Sequence, residues 1–235
     1  MDSIKAEVSH DVFPYLRQYN DGSIERLAGT ETLLSYKKLA FQLDSTDPDQ
    51  QKLAKSFLLQ YNITVEAFSY HLLPIPSDSC GANMAHHLAL KLKGSELGRE
   101  LKIQRIAMIF PYFWGKDPIG IEIMDQFRKS MVDNWWTFIC PSAKGCDDPL
   151  INPFTEGSPS LEGLACNKVL VVVAEKDILS DRGRLYYGKL VSSRWQGTAE
   201  IMEIKGVDHV FHIFDPNCDN AKSLFKRLDS FFSQA

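Results

Sequence analysis

Three short stretches of this 235-residue chain hold side chains able to do covalent chemistry, and they run in the order serine, aspartate, histidine. The first is Ser77-Asp78-Ser79-Cys80-Gly81-Ala82-Asn83, directly before a segment of helical pattern. A nucleophilic serine of the elbow type sits on a tight turn between a strand and a helix, with small residues two places before and after it. Gly81 meets that need, and Ser77 stands where glycine is usual. The helix that follows would aim its first amides at the serine, where a developing oxyanion binds. The amide of Cys80, next after the serine, is the donor this geometry offers. A serine in front of a helix is, on its own, more often a simple N-cap.

The second stretch, Val169 to Asp177, is an apolar run closed by an acidic residue. In open α/β sheets sites are built beyond the carboxyl ends of strands, so Asp177 could orient a histidine and stabilise its cation. The alternative is a carboxylate that caps the next helix, a role that suits Asp181 better. The third, Gly206 to His212, places His209 in a loop after another strand, where it could act as a general base. Ser79 and Asp177 are about 100 residues apart, and Asp177 and His209 about 30. The joint pattern is far more specific than any of its parts. Other residues take plainer readings. His86 and His87 belong on a helix surface, and His212 in packing or support. Trp135 and Trp136 line an acyl pocket or, more commonly for tryptophan, fill core.

Such a site needs elements to position it. Val169 to Val173 reads as a strand buried on both faces. Ile106–Phe110 and Ala199–Ile204 read as further strands, and residues 63–68 as another. Helices are expected at Gly81–Leu92, with Met84, Leu88 and Leu92 on one face, at Arg184–Ser193, and at Asn217–Phe232. Residues 31–60 look helical, with a break at Asp47-Pro48. Pro74 and Pro76 interrupt the chain just before the serine, so residues 71–77 make a poor buried strand. Residues 111–165 form a long aromatic and proline-rich excursion with some helix. Asp21-Gly22 marks a turn in an opening arm. Strands alternating with helices in the last two-thirds argue for a mostly parallel sheet covered on both sides.

Composition narrows the function classes. A net charge of −4 gives no electrostatic case for nucleic acid or an anionic membrane surface. No apolar run reaches the roughly 18 residues of a membrane span. The opening residues lack the basic start and apolar core of a signal peptide, so a cytoplasmic location is expected. Five cysteines, Cys80, Cys140, Cys146, Cys166 and Cys218, show no CxxC spacing, so free thiols are expected and no metal site. No cofactor motif is evident.

Several stretches resemble the plant class I carboxylesterases, relatives of the hormone-sensitive lipase group of α/β-hydrolases. They are residues 13–27, Asp78 to His86, Phe110-Pro111-Tyr112-Phe113-Trp114-Gly115, Asp147 to Pro153, Val173 to Gly183 and Asp208 to Phe214. The resemblance implies an α/β-hydrolase fold with Ser79 as nucleophile, His209 as base and Asp177 as its orienter. It also implies a small ester or plant metabolite as substrate. One feature of the family is missing. Its His-Gly-Gly-Gly loop, which builds most of the oxyanion hole, has no counterpart, because no glycine occurs between Gly29 and Gly81. The expectation is therefore a single domain truncated in its N-terminal half: residues 1–30 an arm, 31–77 an atypical replacement segment, 78–235 the catalytic portion. Three other readings stay open. One is a non-catalytic binding protein, as in the gibberellin receptors, which lack the histidine. The others are a lyase of the hydroxyisoflavanone dehydratase kind and an inactive homologue.

Overall fold

Valine and isoleucine fit a pleated sheet because their branched side chains pack well there, and the longest such run forms the centre of this fold. In a computed structural model, residues 7–12, 16–26, 73–93 and 103–233 are described. Four parallel strands make one sheet in chain order: β4 (Leu73–Asp78), β5 (Ile103–Ile109), β6 (Cys166–Ala174) and β7 (Thr198–Ile204). A separate antiparallel sheet, β1 (Val8–Val12), β2 (Leu16–Tyr19) and β3 (Ile24–Arg26), forms the opening arm. Its tight turn is at Asp21-Gly22, where Gly22 takes a φ of 84° that glycine tolerates best.

The two-residue period of β5 and β6 sorts their side chains onto two faces. Ile106, Met108, Val169, Val171 and Val173 pack with helix α1 (Cys80–Leu92) and helix α3 (Ser180–Val191). Ala107, Ile109, Leu170, Val172 and Ala174 pack with α5 (Asp219–Ser233), through Leu224, Leu228 and Phe231. Each fully buried valine or leucine contributes about 1.5–3 kcal/mol of hydrophobic stabilisation. At Gly183 an added Cβ would come within 2.6 Å of Val173, so α3 lies closer to β6 than any other residue would allow.

The excursion contains α2 (Gln126–Ile139) and three 3-10 turns. It has its own small core of Tyr112, Trp114, Val132, Trp136, Ile151, Ile178 and Leu179. Trp136 is thus core, and Trp135 packs against it half-buried. A short helix α4 (Phe211–Phe214) links β7 to α5. Helix α3 begins earlier than expected, at Ser180, and β5 reaches back to Ile103.

Three expectations are corrected. Residues 73–78 do form a strand despite Pro74 and Pro76. The Ser79 amide donates to the Ile109 carbonyl at 2.9 Å. Odd-numbered residues therefore turn their backbone groups toward β5, and the nitrogens of Pro74 and Pro76 face the other way. No described strand pairs on that side. Proline is tolerated at such an edge, because the ladder asks for no donor there. Second, the inner stripe of α1 is Ala82, Ala85, His86, Ala89 and Leu92 rather than Met84, Leu88 and Leu92. Small side chains let the helix sit close to the sheet. Third, His86 is buried within that stripe, not on the surface. The expected helices at 31–60 and strand at 63–68 lie outside the described residues.

Candidate active site

The registers Asp78↔Ile109, Ile109↔Val172 and Val172↔Met202 bring the carboxyl ends of all four strands nearly level. The turns that follow β4, β6 and β7 consequently share one edge of the sheet. Ser79 occupies the first of these turns, between β4 and α1. Its backbone has φ 47° and ψ −116°, a conformation that costs a non-glycine residue of order 1–3 kcal/mol. Four contacts hold it there. Its amide binds Ile109, and its carbonyl accepts from Ala82 at 3.1 Å, Asn83 at 3.3 Å and Tyr112 at 3.1 Å. The Asn83 side chain then donates to the carbonyls of Tyr112 (3.1 Å) and Leu150 (2.9 Å), tying the excursion to the turn.

Asp177 follows β6 and is 1% exposed. One carboxylate oxygen accepts from the Leu179 amide at 2.9 Å, which steadies the turn into α3. The other lies 2.7 Å from His209 Nδ1. Asp177 therefore contacts both the turn it precedes and the histidine ring. Asp181, expected as the cap, instead accepts from the Ile121 amide at 2.8 Å and pairs with Arg184 at 2.7 Å.

His209 follows β7, and its Nε2 lies 3.0 Å from Ser79 Oγ. The three residues singled out by order alone converge into one hydrogen-bonded chain. A carboxylate can only accept, so the Nδ1 proton points to Asp177 and Nε2 is left to accept from the serine hydroxyl. Burial opposes a charged ring at His209. The Asp177 carboxylate outweighs it, with help from its hydrogen bond and from Asp78 and Asp208, and holds the pKa above the usual histidine range. The Cys80 amide opens α1 beside Ser79, as the elbow geometry requires.

Two features went unnoticed in the sequence. Among the described residues three non-glycine residues have positive φ: Ser79, Phe110 (48°) and Val210 (45°). All lie at the site, and the Phe110 ring packs edge-on to His209 with centroids 6.0 Å apart. No residue type announces such strain. The other is the neighbourhood of His209, where Arg128 on α2 reaches Asp208 at 3.2 Å. His86 is bonded to the Tyr186 hydroxyl at 2.9 Å, and burial, reinforced by His87, keeps it neutral. His212 is buried against Phe110, Phe211 and Phe225, with its Nε2 3.9 Å from Asp78. Among the described residues no cluster of three or more histidine, cysteine, aspartate or glutamate side chains could hold a metal. None of the described helices is long and apolar enough to cross a membrane.

A parallel sheet with a strained serine turn, and an aspartate and a histidine following later strands, defines a class of fold whose sites do acyl chemistry. The profile of the α/β-hydrolase fold family matches residues 75–213. "Probable carboxylesterase 2" of Arabidopsis thaliana is 38% identical over 313 aligned positions, covering 100% of this chain and 99% of that protein. A 2-hydroxyisoflavanone dehydratase of Glycyrrhiza echinata is 41% identical over 67% of this chain and 48% of its own length. Among solved structures, an esterase of the archaeon Pyrobaculum calidifontis superposes with a TM-score of 0.54 at 22% identity, covering 77% of this chain and 58% of that one. A thermophilic carboxylesterase from a metagenomic library gives 0.56 at 21%, covering 75% and 59%. The chain thus spans about half to three-fifths of the length of most of these proteins. It belongs to the α/β-hydrolase family, among the plant carboxylesterases, a group of carboxylic ester hydrolases.

Proposed function

We propose that the chain hydrolyses small carboxylic esters through an acyl-enzyme on Ser79. The observation that carries this reading is the unbroken chain from Ser79 Oγ to His209 Nε2 (3.0 Å) and from His209 Nδ1 to Asp177 (2.7 Å). His209 takes the serine proton as Oγ attacks the ester carbonyl, and Asp177 holds the ring in the right tautomer and stabilises its cation. The Cys80 amide donates to the tetrahedral oxyanion. Collapse expels the alcohol, which receives the proton from His209, and water then releases the acid by the reverse sequence.

The oxyanion hole is proposed to be incomplete. Residues 30–80 contain no glycine, and glycine is what lets successive backbone amides approach a ligand closely. The alignment to the Arabidopsis relative is 78 positions longer than this chain, which fits an internal loss. The reading treats the whole chain as one domain, with residues 1–30 an arm and 31–77 a replacement segment. A cytoplasmic location belongs to the same proposal. All five cysteines are free thiols, as suits a reducing compartment, and fractionation of tagged protein tests the point.

The test is covalent labelling by a fluorophosphonate probe. The wild-type chain should label, and Ser79→Ala should not. Labelling that persists in the variant would put the nucleophile elsewhere. The dehydratase relative raises proton-transfer lyase chemistry as the second reading. Release of a free acid from a simple ester, with Ser79 acylated on the way, separates the two.

A further inference from the structure

Arg128 stands in the first turn of α2, far in sequence from both Asp177 and His209, yet it touches the segments that carry them. Its Nη1 donates to the Lys176 carbonyl at 2.9 Å, one residue before Asp177. The same nitrogen lies 3.2 Å from Asp208 Oδ2, one residue before His209. Asp208 uses its other oxygen to accept the backbone amide of His209 at 2.7 Å. The guanidinium is itself aimed. Asp125, the N-cap of α2, accepts from Arg128 Nε at 2.7 Å and from the Arg128 amide at 2.9 Å. The two loops are stitched directly as well, since the Lys176 amide donates to the Val207 carbonyl at 3.0 Å.

We propose that Arg128 is a positioning residue: it fastens the loops carrying Asp177 and His209 to the start of α2, and so sets the approach of His209 to Ser79. The inference rests on the proposed role of His209 as base. A planar fork fixed by Asp125 defines where Asp208 sits, and Asp208 in turn defines the backbone of His209. Val210, the next residue, is in the left-handed region at φ 45°, so this loop needs outside restraint to hold its shape. Most exposed ion pairs contribute little to stability. A contact that joins three separate segments at a reacting group acts on geometry instead, where a misplacement of about 1 Å costs roughly 100-fold in rate.

The charges that face His209 are Asp177 from the β6–α3 turn, Asp78 from the end of β4, and Asp208 beside it, with His212 on α4 close by. Arg128 acts on this group by neutralising Asp208. Removing its charge should therefore move the His209 midpoint up, and removing the Asp208 charge should move it down.

The experiment uses the full chain and the variants Arg128→Met, Arg128→Lys and Asp208→Asn. It reads the His209 ring titration by NMR, assigned with His209→Gln, and the rate of fluorophosphonate labelling. Arg128→Met should raise the midpoint and slow labelling about tenfold. Arg128→Lys should restore the midpoint but only part of the rate, since an ammonium keeps the charge and loses the fork. Asp208→Asn approaches the same contact from its other end and should lower the midpoint, which covers the case of a poorly folding Arg128→Met. A folded Arg128→Met with an unmoved midpoint and labelling within about twofold of wild type would overturn the proposal. If wild-type Ser79 fails to label at all, the hydrolase reading falls, and the NMR midpoints still decide this one.

Discussion

The site takes its residues from a central strand and from the two outermost described strands. Asp177 follows β6, which has a strand on each side and an unbroken buried run from Val169 to Ala174. His209 follows β7, which pairs with β6 alone among the described strands, and is braced by the turn after β6. Ser79 follows β4, which pairs with β5 alone among the described strands and carries two prolines on its other edge. Among the described strands, Asp177 thus rests on one paired along both edges, and Ser79 and His209 each rest on one paired along a single edge. With the oxyanion hole incomplete as proposed, proton transfer should survive better than oxyanion stabilisation does.

The largest expected effect comes from the residue on the central strand. Asp177→Asn should slow fluorophosphonate labelling about ten-thousand-fold, because an amide presents a donor to Nδ1 and turns the ring to the wrong tautomer. The pH profile supplies the sign. His209 must be neutral to accept a proton, and its pKa is held above the ordinary value near 6.5, chiefly by Asp177 against the opposing effect of burial. Labelling should accordingly fall as pH drops through a midpoint above 6.5, and a profile centred at or below it would contradict the assigned cause. The same shift stabilises the fold fully below the unfolded value. That contribution is lost as pH rises through the folded one.

Next is the buried pair behind Asp177. Arg182 on α3 makes two contacts with Glu122, at 2.6 and 2.8 Å, and both side chains are nearly inaccessible. Arg182→Met strands a buried carboxylate and should destabilise the fold by about 3–5 kcal/mol in urea unfolding. Replacing Glu122 by Leu in the same chain should recover much of that. A loss as large in the double variant as in the single one would show that the pair is not what holds this side together.

The proposed gap in the oxyanion hole makes its own prediction. Turnover of p-nitrophenyl acetate should be about 100- to 1000-fold below that of the Arabidopsis relative, the usual effect of removing one oxyanion donor. A rate within tenfold of the relative's would mean that another donor completes the hole, with residues 70–77 the first place to search.

The contrast also explains what could be read in the sequence. β6 was legible because a strand buried on both faces leaves a continuous apolar run, and α5 because its apolar residues recur every three or four places. Ser79, Asp177 and His209 were legible through their order at three strand ends. His86 was not. A step of one residue turns a helix by 100°, so the pair His86–His87 points one ring inward and leaves the other half-buried, and composition alone does not say which. The alanine stripe of α1 carries too weak an apolar signal to outrank Met84 and Leu88. Arg128 and Asn83 act across 80 and 67 positions, and no local pattern encodes such partners.

The smallest expected effect tests the edge itself. β4 was misjudged because proline was weighed as a strand breaker without asking which side its nitrogen faces. The answer lies in the hydrogen bond from the Ser79 amide to Ile109, which fixes the alternation back along the strand. Residue 76 pairs with Ala107 in register, and its backbone nitrogen points away from β5. Pro76→Ala adds an amide on the edge where no described strand pairs, and gives the unfolded chain more freedom. It should lower stability by less than about 1 kcal/mol. Val171→Pro, by contrast, places proline where β6 is paired on both sides, so it removes a ladder donor and should cost clearly more than Pro76→Ala. Urea unfolding of the two variants side by side measures the difference. Equal losses would mean that β4 is paired on both edges, as β6 is.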